Sequence, residues 1–292
     1  MSFDAVLTQL LMGLTVGVNL VLVATGLTLV FGMMGVINFA HSALFMLGAY
    51  VGLAVAARGG FWLGLLLAPP AIGLLGAALE RWLLRPLRER YPLSHLLPLL
   101  LTFGLSLFFE GSAKVIWGPD ILSLDKPRWL GGAVTLGPIT FPSYWLFALA
   151  AAAVLAALVA LVVERTSLGL SIRAATQDPM MAAVLGVNVQ RLNTLVFALG
   201  SGLAAAAGVI LGAMTSLSPQ MGAGVVLDAF IAIVIGGLGS FTGAIVGSLL
   251  LGQVQSFGVA LLPAFHTPLV FLVMAVVLVL HPSGLFGSPE RR

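Results

Sequence analysis

The sequence predicts an all-α polytopic integral membrane protein with about eight or nine transmembrane or re-entrant helices and glycine-rich breaks. Three observations predict it. Of 292 residues, 60% are hydrophobic and 8% charged, against roughly 25% charged in soluble domains. The mean hydropathy of +1.14 leaves little polar surface to face water. Apolar runs of about 18 residues or more recur along the chain, each long enough to cross a hydrocarbon core of about 30 Å. A closed β-barrel would instead show alternating segments of roughly ten residues, and the sequence has none.

Taken in order, the runs place spans at 8–31, 36–57, 61–82, 95–117, 143–163, 192–214, 225–238, 240–262 and 267–281. The first lacks a basic leader and a clear cleavage site, and so reads as retained. The third runs into Arg81, Arg85, Arg88 and Arg90. A second basic break carries Arg165, Arg173 and Arg191, and the tail carries Arg291 and Arg292. By the positive-inside rule these segments face the cytoplasm. The break at about 118–142 then faces outward. Its Pro119, Pro127, Trp129, Gly131, Gly132, Pro138 and Pro142 fit a turn-rich cap with an interfacial aromatic. The seventh and ninth spans are short for a full crossing, which leaves the count at eight or nine with one re-entrant. If the first two spans are separate, the N-terminus lies outside. If 31–39 is a break within one crossing, it lies inside. The whole of 1–292 reads as one transmembrane domain.

The net charge of +3 does not argue for nucleic acid, because the basic residues sit in short loops between spans, where they orient the protein. The absence of cysteine excludes disulfides and thiolate metal sites. Glycine numbers 35. The spacings Gly208-x-x-x-Gly212, Gly239-x-x-x-Gly243 and Gly243-x-x-x-Gly247 bring glycines onto single helix faces, where backbones approach closely in lipid. The run Gly236-Gly237-Leu238-Gly239-Ser240 is different. Three glycines in four residues interrupt a helix, and such breaks at membrane depth are tolerated where backbone is buried or lines a watery path. A hinge or pathway-lining break is expected there.

The polar break at about 164–191 holds a miniature helix signature. Asp178 serves as N-cap, Pro179 takes the first helical position, and Gly186 is the stop. Met181, Val184 and Leu185 fall at i, i+3 and i+4 and form one narrow apolar stripe. Two turns are too short to be stable alone in water. The segment therefore needs a surface to dock on, which suggests a membrane protein driven by a partner.

No catalytic constellation stands out. His41, His95, His266 and His281 are widely separated, and no paired-carboxylate or metal-ligand spacing occurs. The chain lacks the Gly-x-x-x-x-Gly-Lys-Ser/Thr phosphate loop, so any ATP use belongs to another subunit. His95, His266 and His281 read as interfacial or packed. Among polar residues within apolar runs, Asn19 is mid-span, and Asn38 and His41 adjoin the Gly32–Gly35 break in a hydrogen-bonding role. Glu110 and Asp228 lie toward predicted outer ends. For these two, interfacial solvation or pairing with Lys114 stands level with a pathway role. No predicted span has an acid at its midpoint, which counts against a proton- or sodium-coupled secondary transporter.

Several blocks carry a resemblance. They are Gly26 through His41, Phe45 through Tyr50, Arg85-Pro-Leu-Arg88, Thr102-x-Gly-Leu-Ser106, and Arg173 through Gly186. Others are Phe197 through Ser201, Ala229-Phe230, Gly236 through Ser240, Gly243-Ala244, and Pro282 through Gly287. In this order, over nearly the whole chain, they resemble the branched-chain amino acid ABC importer permeases, specifically the LivH-type subunit. One departure is Ser42, where the family pattern leads one to expect Gly.

The resemblance implies a non-enzymatic permease subunit, multi-pass in a bacterial inner membrane, that binds no cofactor itself. It implies a second, LivM-like permease, two cytoplasmic ATP-binding subunits that use ATP and Mg²⁺, and an extracytoplasmic substrate-binding protein. It also assigns Asp178, Met181, Ala182, Ala183, Leu185 and Gly186 to a coupling helix that enters a cleft on the ATPase. Asn38, His41, Glu110, Asp228, Gly236, Gly237 and Gly239 are the candidates for translocation path or hinge. Branched-chain or related amino acids are the implied solutes, with urea, short amides and other small solutes as alternatives.

Overall fold

The computed structural model describes residues 3–94, 96–136 and 139–287. His95, Pro138, Arg291 and Arg292 lie outside the described residues. Among those described, seven helical stretches are long and apolar enough to cross a membrane.

The first, α1 (Phe3–Met34), is buried along most of its second half, from Gly17 to Val30. It stops where Gly35 takes a positive φ of 62°, and residues 35–38 are non-helical before α2 (Ala40–Leu79) begins. The two first spans are therefore separate helices, the case for which the positive-inside rule expects the N-terminus outside.

Helix α2 is two antiparallel arms. At Gly60 the backbone turns to φ 78°, ψ 169°, a region essentially restricted to glycine. The chain then doubles back, so that Gly64 packs against the Gly52 carbonyl and the Ala56 side chain. The sequence boundary between 57 and 61 falls on this turn. Beyond Leu79 the helix passes through a π-helical turn (Glu80–Leu84) into α3 (Arg85–Arg90).

Helix α4 (Leu96–Trp117) runs beside the first arm of α2, with the Tyr50 and Trp117 rings 5.1 Å apart. The external cap is more ordered than its turn residues suggested. It contains a hairpin of β1 (Ala133–Leu136) and β2 (Ile139–Pro142), with Val134 opposite Phe141. Trp129 stacks on Trp62 at 5.8 Å and so ties the cap to the α2 turn.

Helix α5 (Ser143–Arg165) leads into α6 (Ser167–Gln177) and α7 (Pro179–Val184). The long α8 (Val189–Gly212) then returns through the centre. A short helix, α9 (Met221–Gly236), precedes α10 (Phe241–Leu261) and α11 (His266–Leu280). At 16 residues, α9 is about 24 Å long, short of a full crossing. It begins four residues before the predicted span at 225.

The core is built on glycine-to-backbone approaches. Helix α8 lies in the groove between the two arms of α2. Gly48 and Gly52 of the first arm meet Ala205 and Val209, and Gly73 and Gly76 of the second meet Ala198 and Ser201. Helix α1 packs antiparallel on α10, with Gly13 at Gln253 and Gly17 at Leu249. Lipid tails are as apolar as leucine, so close van der Waals packing of this kind has to supply the association energy. Large apolar residues on α4, α5 and α11 remain exposed, as expected for faces turned to lipid or to another membrane subunit.

Candidate functional site

Two places gather the residues that the sequence marks. The first is the break before α2. Residues 35–38 leave the end of α1 and start α2 opposite the middle of α4. The Phe39 amide donates to Thr102 Oγ1 at 3.2 Å, and the Ser42 and Ser106 hydroxyls are 3.0 Å apart. Thr102, Ser106 and Glu110 form a polar strip at i, i+4 and i+8 on α4, and Ser106 reaches Glu110 at 3.5 Å, the outer limit of a hydrogen bond. The sequence marks the Thr102–Ser106 block and Glu110 separately, and the shared spacing of four is the signal that joins them on one helix face. The Phe39 ring lies between Phe103 of α4 (6.0 Å) and Phe230 of α9 (5.9 Å).

His41 is fully buried, and its Nε2 reaches the Val23 carbonyl at 3.2 Å. It has the structural hydrogen bond expected of it. Asn38 does not. Its side chain is buried, yet neither amide atom has a protein partner. An unpaired buried amide costs roughly 1–3 kcal/mol, so Asn38 is out of place as a purely structural residue. For Glu110 one of the expected alternatives, the Lys114 pair, is not formed. Among the described residues the ion pairs are those of Glu80 with Arg85 and Arg88, and Glu110 does not pair with Lys114. Asp228 sits at the middle of α9 rather than at the head of a span, with Gln255 of α10 near its carboxylate.

The glycine run at 236–239 forms a packed turn between α9 and α10. Gly237 and Gly239 take φ of 106° and 80°, and Ser240 caps α10 by accepting from the Gly243 amide at 3.0 Å. The Leu285 and Phe286 amides donate to the carbonyls of Ile235 and Gly236 at 2.9 and 2.8 Å. Hinge motion at Gly236, Gly237 or Gly239 would first have to release this segment after α11.

The second place is α7, where each part of the sequence signature is present. Asp178 accepts from the Met181 amide at 2.9 Å, and Pro179 opens the helix. Gly186 has φ 92°. The Gly186 amide bonds the Ala183 carbonyl and the Val187 amide bonds the Ala182 carbonyl, each at 3.0 Å, the paired bonds of a glycine C-cap. Ala182 turns inward and is 2% exposed, so it holds α7 to its own protein rather than offering surface. Met180, Val184 and Leu185 are 76–80% exposed, Met181 is 55% exposed, and Ala183 shares the open side. The neighbouring α6, capped by Thr166, extends this segment beyond what the sequence indicated; Arg173 fixes it by donating to the Val163 carbonyl.

The group that sequence reasoning missed is Glu80. It is wholly buried and bound by Arg85, Arg88 and Thr194. Lying at the end of the predicted span 61–82 and beside four arginines, it reads in the sequence as one more charge at a span end.

Known proteins resemble the chain over nearly its whole length. A family model described as "branched-chain amino acid transport system / permease component" matches residues 9–281. The chain is 32% identical to the high-affinity branched-chain amino acid transport system permease protein LivH of Salmonella typhimurium, over 97% of this chain and 96% of that one. It is equally similar to the corresponding permease protein BraD of Pseudomonas aeruginosa, with the same coverage. The fructose import permease protein FruF of Bifidobacterium longum is 26% identical over 88% of this chain and 72% of its own. No solved structure matches the chain.

Proposed function

Because this chain belongs to the family of branched-chain amino acid transport system permease components, we propose that it is the inner-membrane permease subunit of an ATP-driven importer for branched-chain or related amino acids. The observation that carries the mechanism is the exposed apolar tip of α7. Four large apolar side chains, Met180, Met181, Val184 and Leu185, project from a rigidly capped helix on the arginine-rich side of the protein. Water is a poor environment for such a tip, and a helix laid into a hydrophobic groove is a recurrent way of covering one.

In this reading two cytoplasmic ATPase subunits receive α7 and its counterpart on a second, LivM-like permease. ATP binding with Mg²⁺ closes the ATPases, and α7 carries the motion into the bundle as a rigid body. The helix break at Asn38–Ser42, with the strip Thr102–Ser106–Glu110 opposite, then opens toward an extracytoplasmic binding protein. A zwitterion suits these residues. The unpaired Asn38 amide offers both a donor and an acceptor, and Glu110 offers an anion for an ammonium group. Hydrolysis resets the bundle and releases solute inward.

The solute assignment follows the LivH and BraD relatives, which match almost end to end. Affinity purification of the tagged chain in mild detergent tests the partnership. Wild type is expected to bring down an ATPase and a second permease, and Gly186→Arg, which disrupts the α7 cap, to lose the ATPase while remaining in the membrane. Elution of the wild-type chain alone, under conditions that keep other ABC complexes intact, would overturn the reading.

A further inference from the structure

Glu80 lies where the second arm of α2 leaves the bundle, as the first residue of the π-helical turn. That turn brings its partners together. Five residues overshoot one turn of an α-helix, at 3.6 residues per turn, but complete the i to i+5 repeat of a π-helix. The Arg85 amide accordingly bonds the Glu80 carbonyl, and the Arg85 guanidinium returns to the Glu80 carboxylate, with Nη2 to Oε2 at 3.0 Å. Arg88, three residues further on, reaches Oε1 at 2.9 Å.

The remaining ligands come from α8. Thr194 Oγ1 donates to Glu80 Oε2 at 2.7 Å and accepts from Arg85. Arg85 also donates to the Gln190 carbonyl at 3.0 Å, and Gln190 Nε2 donates to Glu89 at 2.8 Å. Gln190 and Thr194 belong to the first two turns of α8. That helix starts at Val189, three residues after Gly186, and is capped by Asn188.

We propose that Glu80 is the transmission joint of this permease, fastening the cytoplasmic end of α2 to the first turns of α8 so that displacement of α7 moves both helices together. The proposal rests on α7 being the helix that docks on the ATPase. A buried acid among arginines is not the cheapest way to pack two helices, since apolar residues of similar volume often hold as well. Directional bonds from α3 and α8 do what apolar contact cannot: they fix the sliding register of α8 on α2. The same α2 begins, at its other end, at the Asn38–Ser42 break. Both arms of α2 clasp α8, so the joint connects the docking helix to the candidate path across the Gly60 turn. Glu80, Arg85 and Thr194 act here as positioning residues.

The test uses the complete transporter in proteoliposomes, with its ATPase and binding subunits and radiolabelled leucine as probe. Thr194→Val keeps the shape of the site and leaves both ion pairs; Glu80→Gln keeps the shape and removes the charge. Leucine moved per ATP hydrolysed is expected to fall at least fivefold in each, while hydrolysis stays within twofold of wild type and the ATPase remains bound. Thr194→Ser is expected to restore the wild-type ratio. A wild-type ratio in Thr194→Val, or uptake and hydrolysis falling in proportion, overturns the joint. If Glu80→Gln fails to accumulate, Thr194→Val decides alone. Leu185→Asp separates this from the docking reading. An ATPase still bound to that variant overturns the docking of α7, while the leucine-to-ATP ratio of Thr194→Val still decides the joint.

Discussion

Gly26 of α1 and Gly200 of α8 are reciprocal neighbours: a Cβ on either would sit 2.8 Å from the carbonyl oxygen of the other. The obstacle is backbone on both sides, so no side-chain rotation can relieve it. Gly200→Leu and Gly26→Leu are each expected to destabilise the bundle by about 3 kcal/mol or more, at or beyond the upper end of overpacking costs. Thermal unfolding in detergent measures this, with Gly132→Ala in the external cap, where a Cβ meets nothing within 4 Å, as the unchanged control. Wild-type stability in Gly200→Leu would mean that α1 and α8 are not packed in this way.

The α7 tip predicts a separation of folding from assembly. Leu185 is 77% exposed, so Leu185→Asp is expected to change stability by no more than about 0.5 kcal/mol. Retention of the ATPase should nevertheless fall at least tenfold. Asp178→Ala removes a cap worth about 1 kcal/mol and is expected to weaken retention partially. Co-purification yields, normalised to the permease, measure both.

Asn38 gives the opposite sign. With neither amide atom bonded, Asn38→Leu relieves an unmet polar group, and stability is expected to hold or rise by about 1 kcal/mol. Uptake is expected to drop tenfold or more. A variant that is both stable and fully active would remove Asn38 from the path. Stabilisation at the expense of activity is the usual mark of a residue kept for function.

Gly60 tests the hairpin of α2. A Cβ there meets nothing within 4 Å, so the whole penalty of Gly60→Ala lies in the backbone, at φ 78° and ψ 169°. Such conformations cost of order 1–3 kcal/mol for other residues. Unfolding temperatures should show that loss. Gly111→Ala, also in open space but within the regular helix α4, should be neutral or stabilising.

The contrast between what could and could not be read in the sequence follows the range of each interaction. The α7 cap and stop are set by Asp178, Pro179 and Gly186 within nine residues, and each was visible. The Gly60 turn was visible because Arg58, Gly59 and Gly60 interrupt an apolar run. Glu80 was not, because its bond to Thr194 spans 114 residues and a π-helical turn leaves no residue signature. Asp228 was misplaced because the glycines Gly222 and Gly224 look like loop, whereas tertiary packing carries α9 through them. The hairpin in the external cap was hidden by the prolines and glycines that frame it.

The clasp of α2 around α8 has a consequence for biogenesis. The two arms precede α8 in the chain, and until it arrives the notches at Gly48, Gly52, Gly73 and Gly76 lack the helix they close on. Insertion of the arms and closure of the clasp are therefore separate events for this chain. A nascent permease halted before residue 189 would hold an open clasp, its four glycine notches facing no partner helix.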